Sequence, residues 1–209
     1  MRRLLLCTLA GLALAAPAVA AVPEKDEGTV TLLAGWRMVP QHGLISELNR
    51  EGLSPTHDAF QPGFTLSLGF MPDEGFHASI DLGYATDQWK NTGGDATVKI
   101  IGLQLAGDTT LLKGQRWSVY LGAGIGYSLN TFTRNGRDTE SNGTAGFAKA
   151  GLRWQLAGSA ALVIEDRYTL AFAQYPELNS IINVGGNTLS VGVMFHFASP
   201  QDKGHPTMP

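Results

Sequence analysis

From Gln61 to Phe70 the apolar residues occupy alternate positions. Phe64, Leu66, Leu68 and Phe70 share one parity, and Thr65, Ser67 and Gly69 the other. After a short break, Phe76, Ala78, Ile80, Leu82 and Tyr84 alternate with His77, Ser79, Asp81 and Gly83. A period of two with one apolar parity predicts a strand with one greasy face. The same alternation predicts strands at about 28–36, 97–110, 117–130, 144–156, 160–173 and 187–197, which makes eight. Within 117–130, Trp117, Val119, Leu121, Ala123, Ile125, Tyr127 and Leu129 oppose Gly122, Gly124, Gly126, Ser128 and Asn130. The glycines there suggest a phosphate-binding loop at first sight. A dinucleotide fingerprint needs G-x-G-x-x-G at the turn into a helix. Here the spacing is G-x-G-x-G inside an unbroken alternation, so the glycines make room on the polar side of a curved wall.

The links between strands alternate in length. Those after odd-numbered strands are long (37–60, 86–96, 131–143 and 174–186), and those after even-numbered strands are short (71–75, 111–116 and 157–159). An up-and-down membrane barrel has this asymmetry, with tight turns at one rim and longer loops at the other, and strands of about ten residues cross a bilayer when tilted. The aromatics of the apolar parity sort the same way. Phe70, Phe76, Trp117, Trp154 and Phe197 lie beside short turns or the last strand's end, whereas Trp36, Tyr84, Tyr127 and Phe172 lie near the opposite strand ends. Two such bands are the expected interfacial girdles.

An eight-stranded barrel is just wide enough inside to be filled by side chains. Rows of Phe, Trp, Leu and Tyr would overfill it, while small residues mixed with a few long polar ones fit. The apolar face therefore meets lipid, and closure removes the unpaired strand edges that lipid would penalise. The predicted fold is all-β: an eight-stranded antiparallel up-and-down transmembrane β-barrel. Asp166 has the lipid-facing parity between Ile164 and Tyr168. Either a bulge shifts the register there, or the residue stands above the hydrocarbon; the alternation leaves both open.

Composition narrows the class. Arg2 and Arg3, the apolar run Leu4 to Ala16 and the small-x-small Ala18-Val19-Ala20 form a secretory signal pattern. The expected organisation is a cleaved signal at 1–20, a barrel at 21–197 and a short disordered periplasmic tail at 198–209. Cys7 is the sole cysteine, so the mature chain has no thiol chemistry. Removing Arg2 and Arg3 from the 15 basic residues leaves 13 against 18 acidic ones, and no basic block marks a nucleic-acid partner.

With Glu165-Asp166-Arg167-Tyr168 on the seventh strand, the "LGAGIGY" segment and the final "LSVGVMFHF", the chain resembles the bacterial outer-membrane β-barrel family that includes OmpA-type and OmpX-type barrels. The resemblance covers the mature chain. It implies a place in the outer membrane of a Gram-negative envelope, contact with its lipids and lipopolysaccharide, and a monomeric barrel. It also implies insertion by the outer-membrane assembly machinery, which reads a last strand ending in aromatics, here Phe195 and Phe197. Twelve residues, "ASPQDKGHPTMP", follow Phe197, a departure from that ending.

The inward parity holds Asp81, Lys149, Arg153, Glu165 and Arg167. Buried charges must pair, so these five predict a salt-bridge plug centred on Glu165 with Arg153 and Arg167. That plug makes a structural or interaction protein the first expectation. A small OmpW-type channel for hydrophobic compounds is the alternative. A lipid A-modifying enzyme is the third reading, but no deacylase-type histidine–serine motif is evident: His77 and Ser79 face inward by parity, and His57-Asp58 stands in a loop. The five histidines show no ligand spacing, and neither metal nor cofactor is expected. The loop at 37–60 carries "LISELNREGL", which fits either a surface loop packed on itself or a short amphipathic contact element.

Overall fold

A computed structural model of the chain describes residues 27–38, 46, 56–57, 61–73, 75–91, 94–175 and 180–198. Residues 1–26, the expected signal segment among them, most of the first loop, the segment from 176 to 179 and the tail after Ala198 lie outside the described residues. Among the described residues there are ten strands: β1 (Glu27–Met38), β2 (Thr56–His57), β3 (Gln61–Asp73), β4 (Phe76–Asn91), β5 (Gly94–Lys113), β6 (Trp117–Arg134), β7 (Arg137–Ala157), β8 (Ala160–Tyr175), β9 (Ser180–Asn183) and β10 (Gly186–Ala198). All pairings are antiparallel. The order runs β10-β1-β3-β4-β5-β6-β7-β8, and β8 pairs β10 to close the wall. Eight strands are staves, while the short β2 and β9 append to β4 and β8.

The register defines the geometry of closure. From Trp117 the paired residues run through Trp154, Leu162, Val193, Leu32, Leu66, Leu82 and Leu103, and return to β6 ten residues further on, at Tyr127. Such a stagger over eight staves tilts them by about 40°, so each residue climbs about 2.5 Å along the barrel axis. Trp117 and Tyr127 are therefore about 25 Å apart in height, the thickness of the apolar band of an outer-membrane barrel.

Between those levels the outer face is apolar and bare, Asp166 excepted. Leu105 is 63% and Ile125 73% exposed, a cost in water that lipid removes. Phe70, Phe76, Trp117, Trp154 and Phe197 stand at the rim of the short turns; Trp36, Tyr84, Tyr127 and, higher still, Phe172 stand at the other.

The staves are longer than the alternation predicts. Two of the long links, 86–96 and 131–143, are mostly strand, because β4–β5 and β6–β7 continue as hairpins beyond the aromatic rim. The second hairpin turns at Asn135-Gly136, both with positive φ (51° and 74°). That pair is the preferred two-residue turn for joining right-twisted strands. The link at 174–186 likewise holds the end of β8, all of β9 and the start of β10.

Asp166 meets neither of its two expected explanations. The ladders through Ala150↔Asp166 and Leu189↔Asp166 are unbroken, so no bulge turns it inward. Four residues above Leu162, it sits about 10 Å higher than that level. This places it inside the apolar band, exposed on the outer face.

Candidate functional site

The interior has two tiers. The lower, level with the lipid band, is charged. Asp81 comes from β4, Asp108 from β5, Lys149 and Arg153 from β7, and Glu165 and Arg167 from β8, all buried. Strand alternation aims each inward because its neighbours belong to the lipid face.

Two hubs join them. At Asp108 the carboxylate accepts from Lys149 Nζ at 3.0 Å and from the Arg153 guanidinium, and lies 3.0 Å from His77 Nδ1. At Arg167 one terminal nitrogen donates to Asp81 Oδ2 at 2.7 Å and lies 2.9 Å from Glu165 Oε1; its Nε donates to the same Glu165 oxygen at 2.9 Å. Lys149 Nζ stands 3.8 Å from Glu165 Oε2 and links the hubs. The hydroxyls of Ser67 and Ser79 donate to Asp81 Oδ1 at 2.6 and 2.8 Å, and Tyr120 donates to Glu165 at 2.8 Å.

Aromatic rings cover the cations. Arg153 lies 4.0 Å from the Tyr120 ring centre and Arg167 4.2 Å from that of Phe147, within cation–π range. Glycines make room for these rings. A Cβ on Gly124 would stand 2.4 Å from the Phe147 ring, and one on Gly151 would stand 2.4 Å from the Tyr120 hydroxyl.

Three carboxylates thus face three cations. A space beside Lys149, Arg153, Glu165 and Arg167 is about 10 Å³, room for about one water. The pairing differs from the expected plug. Arg153 goes to Asp108 and not to Glu165, because it lies two positions below Gly151, the residue paired with Glu165. Asp108 was absent from the expected set, although its parity with Gly102, Gln104 and Ala106 marks it as inward.

The pairs considered for catalysis are held elsewhere. His77 Nε2 lies 2.9 Å from Thr29 Oγ1 and its Nδ1 3.0 Å from Asp108, while the Ser79 hydroxyl serves Asp81. Thr29, His77 and Asp108 are bonded in the order of a nucleophile, base and orienting acid, but the adjoining space has no volume for a substrate. Thr56–His57 forms β2 against β4, and Asp58 lies outside the described residues. Among the described residues no group of three or more His, Cys, Asp or Glu side chains is placed to hold a metal.

The upper tier stands above the outer aromatic rim and is apolar. Val98, Ile100, Phe132, Ala145, Ala171, Ala173, Ile182 and Val184 pack into one cluster, with Val98 and Phe132 fully buried. Just below it Arg37 donates to the carbonyls of Val184 and Gly185 and pairs with Asp87 at 3.3 Å. Sequence reasoning missed this tier. Its signal was the doublet Ile100-Ile101, where the apolar parity of the fourth predicted strand changes sides.

Closed staves of this stagger, a bare apolar band between aromatic rims and a filled ionic interior define a membrane-spanning β-barrel of the outer-membrane class. A family model for the outer membrane protein beta-barrel domain matches residues 5–197, and the chain belongs to that family; it is a protein of the outer membrane. Similar solved folds include Neisserial surface protein A, at 17% identity and a TM-score of 0.56, covering 83% of this chain and 100% of that one. Ail of Yersinia pestis, in complex with the heparin analogue sucrose octasulfate, has 14% identity and a TM-score of 0.51 over 83% of this chain and 100% of its own. OprG of Pseudomonas aeruginosa has 13% identity and a TM-score of 0.51 over 84% and 98%. No curated protein matches the chain by sequence.

Proposed function

We propose that this outer-membrane barrel is a structural and interaction protein with a closed lumen, whose contacts are made by its outward and extracellular surfaces. The observation that carries the reading is the charged interior: three carboxylates and three cations joined by ion pairs, with a space of only about 10 Å³ beside Lys149, Arg153, Glu165 and Arg167. A conducting path would have to separate these partners, and removing one partner from a buried pair costs about 3–5 kcal/mol. The hairpins that carry β4–β5 and β6–β7 beyond the outer aromatic rim support a role in surface contact. Ail, whose structure holds a heparin analogue, is a barrel of similar fold with a bound polyanion. In the same reading the protein is a monomer, Phe195 and Phe197 on β10 are the handle for the assembly machinery, and the lipid neighbours include lipopolysaccharide.

Planar-bilayer recording of the purified mature protein tests the closed lumen. The expected result is a baseline without unitary steps in molar salt. Steady ohmic steps from the wild-type protein would replace this reading with the narrow OmpW-type channel.

A further inference from the structure

Outside the wall, just above the outer aromatic rim, lies a groove of about 700 Å³, within the size range of small-molecule sites. Its floor follows the register. Tyr84, Ile101, Leu129 and Asn142 are laterally paired in one row of outward residues across β4 to β7. The row beneath, Leu82, Leu103, Tyr127 and Thr144, belongs to the lipid band. The row above is Lys99, Thr131 and Glu140. Gln174 closes one side, where its backbone N–H donates to Ser141 Oγ at 2.9 Å.

Leu129 and Thr131 lie two and four residues beyond Tyr127, about 5 and 10 Å above the rim. That is the height of the lipid headgroups. Lys99 and Glu140 flank Thr131 on either side, two strand spacings or about 9.5 Å apart. No ion pair joins the two across that gap, and neither charge has a partner among the described residues. A ligand suited to this groove carries an anion and a cation a few bonds apart, on an apolar body that continues down the wall.

We infer that the groove seats an outer-leaflet amphiphile bearing a phosphoethanolamine headgroup. The phosphate meets the Lys99 ammonium, the primary amine meets the Glu140 carboxylate, and the chains run down over Ile101, Leu129 and Leu103. The membrane is the source of the ligand because the floor of the groove is continuous with the lipid-facing band. The inference is independent of whether the lumen conducts.

The test uses the folded barrel in phosphatidylcholine vesicles containing trace spin-labelled phosphatidylethanolamine, phosphatidylcholine or phosphatidylglycerol with identical chains. The motionally restricted fraction of each label is read by electron spin resonance. The ethanolamine lipid should be preferred over both others by about fivefold, the upper end for the one exposed ion pair that separates it from them, primary amine to Glu140. Glu140→Gln should abolish most of that preference, and Lys99→Gln, which removes the partner of the phosphate that all three lipids carry, should lower the restricted fraction of all three. The double charge swap, Lys99→Glu with Glu140→Lys, should restore the preference by reversing the headgroup. Heat-shifted gel mobility checks that every variant is folded. Equal restriction of all three lipids, glycerol lipid held as well as ethanolamine lipid, or a preference unchanged in Glu140→Gln would overturn the inference.

Discussion

The two tiers of the barrel interior obey one rule and look opposite. Within the lipid band the outward parity is Leu, Ile, Phe and Trp, and the inward parity holds Asp81, Asp108, Lys149, Arg153, Glu165 and Arg167. Above the rim the outward residues become Lys99, Thr131, Glu140 and Asn142, and the inward ones Val98, Ile100 and Phe132. A stave has two faces, and the medium outside decides which may be polar. Lipid leaves polarity only for the inside; water returns the apolar residues to a core. The lower tier is thus cohered by directional ion pairs, and the upper by area removed from water.

The contrast can be broken from either side. The largest effect is expected for Asp108→Ala, which leaves Lys149 and Arg153 buried without their nearest acid. Global stability should fall by about 3–5 kcal/mol in urea unfolding from vesicles, and a loss below 1 kcal/mol would show that the lower tier is not cohered by this hub. Phe132→Ala removes the largest ring of the upper tier and should cost about 3 kcal/mol. Its signature is local: amide exchange should quicken in the hairpin ends of β4–β5 and β6–β7, with the amides around Glu165 unchanged. Accelerated exchange throughout the barrel would mean the tiers are one cooperative unit. The smallest effect is a gain. Asp166→Leu removes a carboxylate from the lipid-facing surface inside the band and should raise stability by about 1–2 kcal/mol. A loss on this substitution would show that Asp166 has a favourable role at that depth.

The staves were legible because lipid enforces a strict period of two over about ten residues, and the two sets of aromatics mark where that demand ends. What lay beyond the rim was hidden by the same criterion. Reading each strand only as far as its lipid parity lasted ended β4 near Tyr84 and cut β6 short of Asn135-Gly136, the turn signal in "TRNGRD". The charged tier was partly legible: inward parity follows from alternation along each stave, and so the membership of Asp81, Lys149, Glu165 and Arg167 needs no partner information. Who pairs with whom depends on the ten-residue stagger, which sums register over every stave and has no trace in any one of them. That is why Arg153 was matched with Glu165 when Asp108 is its partner.

The contact between Arg167 on β8 and Asp81 on β4 joins staves on opposite sides of the wall. In a flat or half-rolled sheet the two would be several strand widths apart, each keeping its hydration shell. Curling must therefore run ahead of drying: the sheet has to be nearly a cylinder before its central charges can give up water, and a protein caught midway in assembly would still be wet through the middle.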